Sequence, residues 1–306
     1  MQILELFGGV GAPRIALQNL GYDPKVIDYV EIDLNAVRSY NAMFNHEHRP
    51  QSVQGWNLKP DVLVHGSPCQ DFSIAGKREA ADPLKETRSS LMFETLSIIE
   101  NMGVWKPRIV LWENVKNVLS SYMKHNFQRY LDKMDDLGYA NSFELLDATE
   151  FGLPQKRERV FCVSILGGPA FNFGLVERTP MKNIRGGGYL EADQNVLPEY
   201  AVTQPSMLTP ILEGGKKGFG GPPHFIEEYA LTITTKQMRW PNSGFVKCSG
   251  GFRYLTPREC WRLQGFRDEH FDAAASVNGK TALYKQAGNS MPIPVLEAIF
   301  KPLLEQ

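Results

Sequence analysis

The chain has 306 residues, 42% of them hydrophobic and 22% charged, which excludes wholesale disorder and admits one large domain or a large domain with a smaller partner. A net charge of −1 hides an asymmetry: residues 1–150 carry 15 basic and 20 acidic side chains, residues 151–306 carry 18 and 14, so a basic surface for nucleic acid is permitted in the second half. No apolar run reaches the roughly 18 residues of a membrane span, and Met1 to Phe7 lacks the basic region and cleavage site of a signal peptide, so a soluble, cytoplasmic protein is expected.

Residues 2–7 read as a first strand, followed by a Gly-rich turn and a helix over Arg14 to Leu20 that stops at Gly21. Val26 to Ile32 is a second strand, and the apolar spacing of Ala36, Val37, Tyr40, Met43 and Phe44 predicts a helix after it. Asp61 to His65 and Arg108 to Trp112 are further short, β-branched runs. A helix is predicted around 122–137, then strands at Asn141–Leu146 and Glu158–Leu166 that pair as a hairpin-like addition. Strands alternating with helices imply an α/β fold with a parallel sheet covered on both faces. From Gly167 the texture changes. Gly167-Gly168-Pro169, Gly186-Gly187-Gly188, Gly214-Gly215 and Gly218 to Pro223 cut the chain into short pieces, and helical character returns at 256–265 and 291–301.

Four cysteines, Cys69, Cys162, Cys248 and Cys260, are scattered without zinc-type spacing, so no metal site is expected and free thiols are. Three of them read as small buried or partly exposed side chains. Cys69 differs, because Gly66-Ser67-Pro68-Cys69-Gln70 follows a strand directly, and ligands in open α/β sheets bind beyond the carboxyl ends of strands. Trp112-Glu113-Asn114-Val115 ends another strand, which should bring Glu113 into the same cleft: a carboxyl group beside a thiol is acid–nucleophile equipment. Phe7-Gly8-Gly9-Val10-Gly11 lies between a strand and a helix, and Glu31 follows Gly11 by 20 residues, where nucleotide-binding folds place a carboxylate on ribose hydroxyls. That pattern fits an adenosine-containing cofactor and does not choose between NAD and S-adenosylmethionine.

Further blocks follow in order: Gln155-Lys156-Arg157-Glu158-Arg159, then Leu255 to Cys260 with Gln264-Gly265-Phe266, then Gly288-Asn289-Ser290. With the Gly-rich segment, Pro68-Cys69-Gln70 and Glu113-Asn114-Val115, they make six ordered blocks. This array resembles the cytosine-5 DNA methyltransferases of bacterial restriction-modification systems and their phages, across nearly the whole chain. The resemblance implies a Rossmann-like S-adenosylmethionine-dependent methyltransferase sheet (residues 1–167 with 283–306) and a smaller, loop-rich target-recognition domain (168–282). It implies catalysis by Cys69, Glu113, Arg157 and Arg159 on a flipped-out cytosine. It implies S-adenosylmethionine contacts from Phe7, Gly9, Gly11, Glu31, Ile32, Pro68, Leu91, Asn289 and Ser290, with Phe7 and Ile32 flanking the adenine. Residues 70–89 would form a lid over the base. The expected partner is double-stranded DNA, met by a monomer, with no membrane and with a cognate restriction endonuclease as the candidate functional partner. Within the variable region Lys216, Lys217, Lys236, Gln237, Arg239 and Lys247 are candidate DNA contacts, with Gln237 and Arg239 preferred as base readers.

Two positions depart from the family pattern. Ala12 replaces the last glycine of the first block, and Gly55-Trp56 stands where the family has Gly-Asp, leaving Trp56 or Asn57 for the adenine amino group. A tRNA cytosine-5 methyltransferase would share every block; the length and Gly/aromatic content of 168–250 favour DNA. A catalytically idle DNA-binding regulator fits poorly with intact Cys69, Glu113 and Arg159, and a nicotinamide-dependent dehydrogenase explains only the first block.

Overall fold

The computed structural model describes residues 1–54, 59–66, 90–214, 221–240 and 242–305, the side chains of residues 26–28 and 90 excepted. The expectations placed on Trp56, Asn57, Pro68, Cys69, the 70–89 segment, Lys216 and Lys217 lie outside the described residues.

The first half runs β1 (Gln2–Leu6), α1 (Ala12–Asn19), β2 (Lys25–Val30), α2 (Leu34–Phe44), β3 (Val62–His65), α3 (Ser90–Asn101), β4 (Ile109–Val115), α4 (Lys124–Asp136), β5 (Tyr139–Asp147), β6 (Gln155–Lys156) and β7 (Glu158–Leu166). Six strands make one sheet in the order β2-β1-β3-β4-β7-β5. The first four are mutually parallel, and β7 runs antiparallel to both of its neighbours. The expected pairing of the last two strands is observed, in unbroken register from Tyr139↔Leu166 to Asp147↔Glu158.

Alternation explains why these runs are apolar on both sides. Val62, Val64, Ile109 and Leu111 enter the core shared with α1 and the C-terminal helix, while Leu63, Val110 and Trp112 enter the core shared with α3 and α4. Trp112 is wholly buried and stacks on Tyr130 of α4 at a centroid distance of 4.9 Å.

After β7 come α5 (Pro205–Leu212), β8 (Ala230–Leu231), β9 (Val246–Cys248) and β10 (Gly251–Arg253), then α6 (Pro257–Arg262), α7 (Asp268–Ala275), α8 (Lys280–Asn289) and α9 (Ile293–Leu304). The loop-rich stretch has a small core of Val202, Met207, Ile211, Phe245 and Tyr254. Helices α3, α5, α7 and α8 were not legible as separate elements. Pro210 interrupts the pattern of α5, and α7 offers only His270, Phe271 and Ala274 as buried positions. Helices α6 to α9 return to the sheet: Trp261, Phe271, Leu283, Leu296 and Phe300 share one core with Ile3, Ile15 and Leu17. Among the described residues no helix is long and apolar enough to cross a membrane.

Candidate active site

The carboxyl ends of β1, β2, β3 and β4 all open on one edge of the sheet, and the Gly-rich block, Glu31 and Glu113-Asn114-Val115 lie there. Beyond β1 the chain turns through three left-handed residues, Phe7 (φ 56°), Gly9 (φ 54°) and Gly11 (φ 75°). Phe7 bears a side chain in this conformation, at a cost of about 1–3 kcal/mol that surrounding contacts must offset. Gly11 has no alternative, since a Cβ there would lie 2.7 Å from Tyr40 Cε2 and 2.8 Å from Phe44 Cε2. Gly9 faces open space, its hypothetical Cβ meeting only Phe7 O at 4.0 Å.

Two side chains from β2 and its end pin the Gly9 peptide. Glu31 Oε2 accepts from the Gly9 amide at 3.0 Å, and the Tyr29 hydroxyl donates to the Gly9 carbonyl. Glu31 Oε1 accepts from Ile32 and Asp33 amides, each at 2.8 Å. Burial pushes the Glu31 carboxyl above its usual range against the pull of these three bonds. Two carboxylate oxygens hold about four acceptor sites, so room remains for a ribose hydroxyl. Ile32 is 73% exposed, an aliphatic face at the strand end against which an adenine can lie, and Phe7 is half-buried beside it in sequence order with the turn. This glycine cradle, free acceptor and exposed aliphatic face fit S-adenosylmethionine.

Beneath the turn is a buried polar layer that sequence reading missed. Glu5 Oε1 accepts from the Arg14 amide at 3.1 Å, Arg14 Nη1 reaches the Tyr40 hydroxyl at 3.3 Å, and Tyr40 stacks on Tyr29 at 3.8 Å. Burial raises the Glu5 carboxyl to about 7, with Arg14 opposing. The one available signal was a carboxylate inside the otherwise apolar run Ile3-Leu4-Glu5-Leu6.

At the other end of the opening, β3 and β4 pair His65 with Trp112, so Gly66 and Glu113 emerge side by side. A Cβ on Gly66 would lie 3.8 Å from Glu113 Oε2 and 3.0 Å from Met291 Cε. Glu113 Oε1 and Arg159 Nε are 3.1 Å apart, and both side chains are only 13% exposed. Arg159 is held by its place on β7, between Val115 of β4 and Leu146 of β5, and its Nη1 donates to Glu158 O at 2.8 Å. His65, also missed, is buried with Nε2 3.2 Å from the Tyr130 hydroxyl, and burial drives its pKa down to about 3, so its imidazole is neutral.

Arg157 does not join Glu113. Its buried guanidinium donates from Nη1 to Ile233 O at 3.2 Å and from Nη2 to Gly288 O at 3.0 Å and Ser290 O at 2.8 Å. Asn289 is exposed and Ser290 buried, and their segment crosses the opening: Lys285 pairs with Asp33 beside Glu31, and Met291 reaches Gly66. Leu91 is half-buried and packs on the same core as Phe7. Gln237 is buried, its Nε2 donating to Thr234 O at 2.9 Å, whereas Arg239 and Lys236 are exposed; Gln237 shapes the turn that carries them. Lys247 lies over the Phe225 ring at 4.6 Å.

A family model described as C-5 cytosine-specific DNA methylase matches residues 1–185 and 213–305. The chain belongs to that family. It is a DNA cytosine-5 methyltransferase, and its methyl donor is S-adenosylmethionine. The type II methyltransferase M2.ScrFI of Lactococcus lactis subsp. cremoris is 29% identical, over 100% of this chain and 99% of its own. The type II methyltransferase M.NgoBI of Neisseria gonorrhoeae is 30% identical, over 97% of this chain and 91% of its own. The fold is that of the S. pombe Dnmt2 methyltransferase, at a TM-score of 0.79 and 20% identity, over 100% of this chain and 98% of the other. The unmatched residues 186–212 all lie in the loop-rich stretch.

Proposed function

We propose that this methyltransferase modifies cytosines within a specific sequence of double-stranded DNA, through a covalent adduct between Cys69 and a cytosine flipped out of the duplex. The observation that carries the reading is the Glu113–Arg159 pair, shielded at the end of β4 with Gly66 beside it; in the sequence Cys69 follows Gly66 by three positions. Type II names among the relatives support duplex DNA as the substrate.

Carbon 5 of cytosine is a poor nucleophile, and the residues present can correct that. The Cys69 thiolate adds to carbon 6 while Glu113 hydrogen-bonds or protonates ring nitrogen 3, so the ring becomes an enamine with electron density at carbon 5. Arg159 holds Glu113 on one side and offers donors to the exocyclic oxygen on the other. S-adenosylmethionine, when bound, supplies an electrophilic methyl group on a sulfonium. Solvent water then takes the carbon-5 proton, the electron pair left behind expels Cys69 as its thiolate and restores the aromatic ring, and any proton on ring nitrogen 3 returns to Glu113. Carbon 6 is inaccessible in a stacked duplex, so the base must leave the helix first. Residues 1–167 with 283–306 carry this chemistry, and 168–282 carry sequence choice, with exposed Arg239 as the preferred base reader.

A duplex containing 5-fluorocytosine tests the adduct, because fluorine at carbon 5 cannot leave as a proton would. The wild-type protein with S-adenosylmethionine should give a denaturation-resistant complex, and Cys69→Ser should give none, since its hydroxyl has a far higher pKa than a thiol. An adduct with the serine variant, or none with the wild type, removes Cys69 from the mechanism.

A further inference from the structure

The turn after β8 and the last turn of α8 touch backbone to backbone. A Cβ on Gly288 would lie 2.6 Å from Thr234 C and from Thr235 N, and 2.8 Å from Thr234 O, so no larger residue fits without moving one segment off the other. One guanidinium ties them: Arg157 donates to Ile233 O, Gly288 O and Ser290 O. Gln155, buried in β6, fixes the same turn by accepting from the Ile233 amide at 2.9 Å and anchors it to Leu263 O at 2.7 Å. Gln264 then reaches Ala287 O at 2.8 Å, closing the frame behind α8.

What each segment leads to differs. Residues 285–291 run from Asp33, beside Glu31, to Gly66, across the opening that fits S-adenosylmethionine. The other segment leads into Lys236 and Arg239, both exposed. Close-packed backbone transmits displacement because nothing compressible lies between the two.

We propose that Arg157 and Gly288 are positioning residues that couple occupancy of the S-adenosylmethionine site to the placement of the 232–239 turn on target DNA. This rests on the assignment of sequence choice to 168–282. Linkage makes the coupling reciprocal: whatever factor the duplex adds to cofactor affinity, cofactor adds to duplex affinity.

The full chain tests it in two stages. Bisulfite sequencing of DNA from cells expressing the wild type first defines the methylated motif. Calorimetry then gives the affinity for S-adenosylhomocysteine alone and with a saturating duplex bearing that motif. The wild type should bind S-adenosylhomocysteine about tenfold tighter with the duplex, within the usual span of coupling factors. In Gly288→Ala and Arg157→Lys the ratio should fall to within about twofold of unity, while both still bind S-adenosylhomocysteine alone. Their bisulfite maps should broaden at one or more positions, which a general loss of stability would not do. Should one variant fail to fold, the other decides. A wild-type ratio of one, or a wild-type ratio retained in the folded variants, overturns the coupling and leaves the proposed function standing. Absence of 5-methylcytosine in the wild-type map overturns the proposed function and the coupling with it.

Discussion

Between β1 and β7 the strands are held by ladders and by apolar side chains hidden on both faces. Between Phe171 and Tyr254 the chain is held by a small core of its own, by separate side chains such as Phe171, Ile226 and Ile233 that enter the main core, and by polar ties. Arg253 is the clearest of these: 4% exposed, it bonds both oxygens of the fully buried Glu259 and also meets Asp193. Ser243 donates to Thr232 O at 2.9 Å, Thr232 to Lys156 O at 2.8 Å, and Tyr254 to Gln204 at 2.9 Å. A ladder dictates where each residue sits. A tie dictates only where a few donors sit and leaves the chain between them free to take another sequence or length. Reaction chemistry tolerates little displacement, and Glu113 and Arg159 are both strand residues. The stretch without a family match, 186–212, falls among the ties.

The largest effect is expected at the strand end: Glu113→Gln should lower kcat by about 10²–10⁴-fold with the DNA KM changed only a few-fold, because its best contact forms during attack on the ring. Steady-state methylation kinetics decide this, and a near-normal kcat with a raised KM would remove Glu113 from the chemistry. Next comes the tie at Arg253. Arg253→Leu leaves Glu259 buried without its counter-charge, which should cost about 3 kcal/mol or more by urea unfolding. Proteolysis should then cut within 168–255 before it cuts the sheet; simultaneous cleavage of both would mean that the two regions are one cooperative unit.

A comparable but pH-dependent effect is expected beneath the glycine turn. In the folded chain the Glu5 carboxyl sits near 7 rather than 4.5, chiefly through burial and against Arg14. Its contribution is therefore fully present below pH 4.5 and is lost as the pH rises through 7. Relative to Glu5→Gln, the wild type should lose roughly 3 kcal/mol across that window. Urea midpoints at pH 5 and pH 8 measure the difference, and parallel behaviour of the two proteins would mean that Glu5 ionises as freely folded as unfolded. The smallest effect is at the recognition side: Arg239→Ala should relax the methylated motif at one base pair, by about 1–3 kcal/mol of discrimination, with kcat on cognate sites retained. Uniform weakening at all sites would make Arg239 a phosphate contact.

Legibility from sequence followed the same division. Where two-faced burial writes an apolar run, as in Val62–Val64 or Glu158–Leu166, strand and position were readable, and the expected antiparallel pair formed in register. The meeting of Glu113 with Arg159 was readable only as a family role; the 3.1 Å contact depends on β7 turning antiparallel beside β4. Arg157 and Arg159 look equivalent in Gln155-Lys156-Arg157-Glu158-Arg159, yet one meets Glu113 and the other meets three backbone carbonyls. Both have odd numbers in one strand-like run, so alternation could not separate them; the break between β6 and β7 does. Gln237 was unreadable for a related reason, since a glutamine that bonds its own turn and one that reads a base are spelled alike.

The distance along the chain between Asp33 and Lys285, 252 positions, also has a meaning in time. At roughly 5–20 residues per second, a ribosome needs on the order of half a minute between making the first half of the cofactor cradle and delivering the segment that crosses it. Throughout that interval the parallel strands can already be paired while Asn289, Ser290 and the carbonyls that seat Arg157 do not yet exist. A chain broken before Lys285 therefore lacks the partner of Asp33 and the carbonyls of Gly288 and Ser290 that hold Arg157, however well its sheet has folded.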